Sequence, residues 1–169
     1  MAFLVLCAAT AICLVAPTLA QSPRARAVIV NKTRVRDAQI SSLEQRYRVR
    51  IQDGSYWYDA ATGSWGQQDG PTAGLIAPGL NFGSLRADAS NGTTGVFING
   101  RQLHARDVAG LSTIMRVLQG RYWMDASGNF GYEREPMIGN IHALANSVRA
   151  PRQGILSTYD KTGAVVIGQ

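Results

Sequence analysis

The sequence predicts an α+β domain in which two tandem strand-helix-hairpin units pack together with pseudo-two-fold symmetry. Three observations carry this expectation. A segment of the chain recurs about 66 residues downstream. Within each copy the apolar period changes from that of a strand to that of a helix and back. The 169 residues, 46% of them apolar with 18 Gly and 6 Pro, are enough for one core and too few for a large multidomain enzyme.

The recurrence is specific. Gly54-Ser-Tyr56-Trp57-Tyr58-Asp59-Ala60, then Gly63, Trp65, Gly66, Pro71 and Gly74, is answered by Gly120-Arg-Tyr122-Trp123-Met124-Asp125-Ala126, then Gly128, Phe130, Gly131, Pro136 and Gly139. Nine positions are identical where average composition gives about one or two. The first unit runs roughly from 28 to 74 and the second from 96 to 139, with a linker over 77–95 and a C-terminal helix and strand within 140–169.

Each element follows from its residues. Val28-Ile29-Val30 and Val96-Phe97-Ile98 are short β-branched or aromatic runs bounded by Asn, as strands are. Ile40, Leu43 and Tyr47, like Val108, Leu111 and Met115, fall at the spacing of a buried helical stripe, with Asp37 and Asp107 near the start where an acid meets free amides. Asp125-Ala-Ser-Gly128 has the chemistry of a hairpin turn closing on a left-handed glycine, and the first copy carries one more residue there. Pro71 and Pro136 stop the hairpins because proline cannot donate to a ladder. Residues 77–95, rich in Gly, Pro, Ser and Asn, read as a connecting loop. Ile138 to Val148 suits a short helix, and Ala164 to Ile167 a last strand.

Met1 to Ala20 has no charged side chain, is apolar from Phe3 to Ala16 and ends in Pro17-Thr18-Leu19-Ala20. That is the pattern of a secretory signal peptide cut after Ala20, which places residues 21–169 outside the cytoplasm, secreted or periplasmic. The run lacks a Lys or Arg in front of it, so an uncleaved N-terminal membrane anchor is the alternative. Cys7 and Cys13 leave with the signal, which removes disulfides, thiolate nucleophiles and thiolate metal sites from the mature chain.

Strand alternation puts Tyr56 and Tyr58 on one face and Trp57 and Asp59 on the other, and splits Tyr122 and Met124 from Trp123 and Asp125 in the same way. If the Tyr/Met face is core, Trp57 and Trp123 with their carboxylates form two related platforms for sugar rings or a partner chain, with Tyr56 and Tyr122 beside them. If the helix covers the Trp side, these rings are core instead. Asp59 and Asp125 serve either such a platform or their own turns. The charge is uneven: Gln21 to Gln52 holds eight Lys or Arg against two acids, and the rest of the chain is balanced. Arg34, Arg36, Arg46, Arg48 and Arg50 therefore make a candidate patch for an anionic partner.

No metal or cofactor is expected. His104 and His142 are not at ligand spacing, and there is no G-x-S-x-G elbow and no phosphate-cradling Gly loop with its Lys. The order Trp57, Tyr58, Gly66, Gly70, Pro71 resembles GYF-type peptide-binding modules, but Glu135 replaces that Gly in the second copy, and the assignment is rejected. The reading is an exported, non-catalytic binding or envelope-associated protein that contacts a polysaccharide, an anionic lipid or envelope surface, or another protein. Nucleic acid is not expected, and a homodimer is left open. The alternatives are a small hydrolase using Asp59, Asp125, Glu133 or Glu135, which needs two carboxylates within about 10 Å, and a structural or inhibitory protein binding an acidic partner.

Overall fold

Val28–Val30 (β1) turns through Asn31 and Lys32 into Thr33–Arg34 (β2). Both turn residues have positive φ, 48° and 64°, the geometry that twists a two-residue hairpin correctly. The helix Asp37–Tyr47 (α1) then carries the chain across to Gly54–Tyr58 (β3), parallel to β1. Antiparallel Ser64–Gln67 (β4) and Gly74–Leu75 (β5) complete a sheet ordered β2-β1-β3-β4-β5. This computed structural model describes residues 26–149. The expected signal peptide and the strand at 164–167 lie outside the described residues.

The second half repeats that plan. Val96–Ile98 (β6), Arg101–Gln102 (β7), the helix Ala105–Ser112 (α2), Gly120–Met124 (β8), Asn129–Tyr132 (β9) and Gly139–Asn140 (β10) form a sheet ordered β7-β6-β8-β9-β10. The registers match as well. Val28 faces Gly54 as Val96 faces Gly120, and Trp57 faces Gly66 as Trp123 faces Gly131. A third helix, Ile141–Arg149 (α3), follows β10. The architecture is α+β. The short strands β2, β5, β7 and β10 were not expected from the sequence.

The helix-facing side of each sheet is core. Val28, Val30, Val35, Ile40, Tyr58 and Phe82 are buried together in the first unit, and Val96, Leu103 and Phe130 are buried in the second. Phe82 comes from the linker and meets the Tyr58 ring edge-on at 5.2 Å, so residues 77–95 carry core and are more than a connector. Asp37 sits in the first turn of α1 as expected. Asp107 likewise sits in the first turn of α2, whose N-cap is His104, its Nδ1 accepting from the Arg106 amide at 3.1 Å.

A two-fold axis would give each contact between the units a counterpart with the roles exchanged. Among the described residues, the polar side-chain contacts run from the β6–β7 turn and the start of α2 onto the first hairpin. Thr33, which stands in the first unit where Arg101 stands in the second, lies instead beside Gly83 of the linker. The units meet head to tail at these contacts.

Candidate functional site

The two hairpins are built alike. Asn31 and Asn99, both in left-handed turns, clamp the end of the neighbouring strand: each side-chain amide donates to, and each Oδ1 accepts from, the backbone of Tyr58 or Met124 at 2.8 to 3.0 Å. Trp57 donates its indole N–H to Gly70 O at 3.1 Å, and Trp123 donates to Glu135 O at 2.9 Å. Each indole lies flat on a glycine. A Cβ at Gly66 would stand 2.7 Å from the Trp57 ring, and one at Gly131 would stand 2.8 Å from the Trp123 nitrogen. Glycine is required at both positions so that the ring can approach the strand.

Their surroundings differ. Trp57 is fully buried, because the guanidinium of Arg101 lies over its ring at 3.8 Å from the centroid. The first ribbon is therefore no displayed platform, which corrects the expectation for Trp57. Arg101 is itself buried. It donates to Ser90 Oγ at 2.9 Å and to Thr72 Oγ1 at 3.4 Å, and pairs with Asp107 at 3.3 Å. Burial pulls its pKa down from the usual guanidinium value, and the Asp107 carboxylate opposes that pull. Asp107 also accepts from the Thr72 amide at 2.9 Å. Asn99 completes the contact by donating to Asp59 Oδ2 at 2.7 Å.

The equivalent face of the second unit has no such cover among the described residues. Trp123 is half-buried, and Met137 and Ile138, which follow Pro136, are exposed. Beside Trp123 the same face holds Phe97, Arg121 stacked on it at 5.0 Å, and Glu133 paired with Arg121 at 2.6 Å. Glu133 and Glu135, the other two carboxylates named for a hydrolase, are not on a strand. They lie in the turn after β9, where Arg134 takes a positive φ of 69°.

The carboxylates work locally. Asp59 is buried and accepts from the Ala61 amide and Thr62 Oγ1, both at 2.9 Å, besides Asn99. Asp125 accepts from the Asn129 side chain and from the amides of Ser127 and Asn129, and these donors hold its carboxyl below the usual carboxylate range. Tyr56 and Tyr122 point to the helix side, each hydroxyl donating to a backbone carbonyl at 2.9 Å.

The arginine patch is divided. Arg34 and Arg36 lie on β2 and at the start of α1, whereas Arg46, Arg48 and Arg50 lie at and beyond its end; all five are exposed. A helix of 11 residues separates these ends by about 16 Å. No group of His, Cys, Asp and Glu among the described residues could hold a metal ion, and none of the described helices is long and apolar enough to cross a membrane.

Sequence reasoning missed Asn99, Arg101 and Asp107. Asn99-Gly100 is a hairpin signal that could have located the first, but nothing local marks Arg101 as the cover of a ring 44 positions away.

No family model matches the chain, and no solved structure matches it. It is similar to two Arabidopsis thaliana proteins. It is 33% identical to extra-large guanine nucleotide-binding protein 1 over 87 residues, 50% of this chain, and 28% identical to extra-large guanine nucleotide-binding protein 2 over 122 residues, 69% of this chain. The matched stretches span 10% and 14% of those proteins' own lengths.

Proposed function

We propose that the chain is a non-catalytic protein-binding module whose second unit receives an arginine-bearing turn of a partner polypeptide on the Trp123 ribbon. One observation carries this reading: the same ribbon in the first unit already binds such a turn, with Arg101 on the Trp57 ring, Asn99 on the Asp59 carboxylate and Asp107 on the Thr72 amide. The second ribbon offers the matching groups, Trp123, Asp125 and the Met137 backbone, in the same register. A guanidinium is the suited partner because a tryptophan face attracts cations and a neighbouring carboxylate adds to that attraction.

The similarity to a small part of two larger guanine nucleotide-binding proteins supports an accessory interaction role. Nucleotide binding is not carried across, since the chain has no Gly-rich loop ending in Lys and Ser or Thr. Export through Met1–Ala20 belongs to the same proposal and rests on the sequence.

The test is a cyclised synthetic peptide with the sequence of residues 96–107, the turn that covers Trp57. Added to the protein, it should shift the Trp123 indole resonance saturably. Arg101→Ala in the peptide should abolish the shift. A titration to millimolar peptide that leaves the Trp123 signal unmoved would reject this function.

A further inference from the structure

On the other side of the first sheet, beneath α1, lies an apolar chamber of about 600 Å³ walled by Val30, Ile40, Leu43, Tyr56, Trp65 and Ile76. The second unit supplies an internal control. Its equivalent space, walled by Ile98, Leu111, Tyr122, Phe130 and Ile141, is only about 30 Å³. Trimmed walls do not explain the difference, because the larger chamber has the larger side chains: Tyr47 against Met115, Tyr58 against Met124, Trp65 against Phe130.

The frame around the first chamber holds it open. The helix above it has 11 residues against 8 in the second unit. Glu44 Oε1 accepts from Arg26 at 3.0 Å and from the Ile51 amide at 2.8 Å, which fixes the segment leaving α1. Tyr47 and Tyr58 secure the opposite wall, both bonding to Ala77 at 2.6 Å.

The tyrosine hydroxyls in the walls are committed to backbone groups, so the interior offers an incoming ligand little but apolar surface. Two exposed cations, Arg50 and Arg106, are among the residues that line the chamber, and neither is in an ion pair among the described residues. The volume falls within the range of small-molecule sites. The geometry points to a binding site for an amphipathic monocarboxylate: an acyl-chain-like body in the chamber and its anionic head at Arg50 and Arg106. This site is independent of the Trp123 ribbon.

The test adds dodecanoate, dodecanol or dodecyltrimethylammonium, each below its micellar concentration, to the full chain. One equivalent of dodecanoate should bind at least about tenfold more tightly than the alcohol, a margin in keeping with one charge-assisted contact. The ammonium should not bind. The Trp65 indole resonance should move while that of Trp123 stays in place. Arg50→Gln with Arg106→Gln should bring the carboxylate down to the alcohol's affinity and leave the alcohol unchanged. Leu43→Trp should fill the chamber and abolish both; if that variant does not fold, Val49→Trp at the exposed rim serves the same purpose. Trp123→Ala should change nothing, which separates this site from the ribbon. Absence of saturable dodecanoate binding, binding that leaves Trp65 unmoved, or a carboxylate preference that survives both arginine changes would overturn the inference.

Discussion

Arg101→Ala removes one of the residues that join the two units. The change strips the guanidinium from the Trp57 ring, where it sits at 3.8 Å, and leaves Asp107, whose side chain is 12% exposed, without its cation. A desolvated cation–π contact is worth about 2 kcal/mol, and breaking a buried pair from one side costs about 3 to 5 kcal/mol. The two overlap because one group makes both contacts, so the expected loss is about 4 kcal/mol. For a chain of this size that lowers Tm by about 10 °C. Urea unfolding followed by tryptophan fluorescence, with thermal melting by circular dichroism, measures both quantities. Most of the cost is the stranded carboxylate, so Arg101→Met with Asp107→Asn should recover a good part of the loss. A loss under about 1 kcal/mol for Arg101→Ala would refute the reasoning, since a buried residue with these partners cannot be removed so cheaply.

Three further outcomes are expected. The Ile51 amide, with the Arg26 guanidinium next, holds the Glu44 carboxyl below its ordinary value of 4.5, so its stabilising effect is complete above that value and is lost as pH falls toward the depressed one; the Tm of Glu44→Gln should vary less with pH than that of wild type below about pH 4.5, and identical slopes would contradict this role of Glu44. Gly131→Ala places a methyl 2.4 Å from Pro136 O and 2.8 Å from the Trp123 indole nitrogen, and should cost about 1 to 3 kcal/mol by urea unfolding while shifting the Trp123 resonance. Gly100→Ala meets no atom within 4 Å, so only its positive φ should be felt, at about 1 kcal/mol by the same assay.

Much of the fold was written locally. The strands at 28 and 96, the helical stripe of Ile40, Leu43 and Tyr47, and the left-handed Gly63 and Gly128 each follow from a few neighbouring residues, and all are present. The two-residue strands were missed because their signal is the turn, Asn31-Lys32 and Asn99-Gly100, rather than any apolar period. The surroundings of the site were not legible. Trp57 and Trp123 sit in near-identical local sequences, and what separates them is Arg101, brought in by tertiary packing. The chamber was hidden for a similar reason: its volume depends on where α1 stands, which is set by Glu44, Arg26 and Ile51 together. The arginine run looked continuous in sequence, but a helix divides it.

The most direct test of the unequal ribbons compares Trp57→Ala with Trp123→Ala by equilibrium urea unfolding. The first removes a fully buried ring held under a guanidinium and should cost about 3 to 5 kcal/mol. The second removes a half-buried ring and should cost at least about 2 kcal/mol less, with the native fold retained. Equal losses would mean that both indoles are structural and that the second ribbon is not held in reserve for a partner.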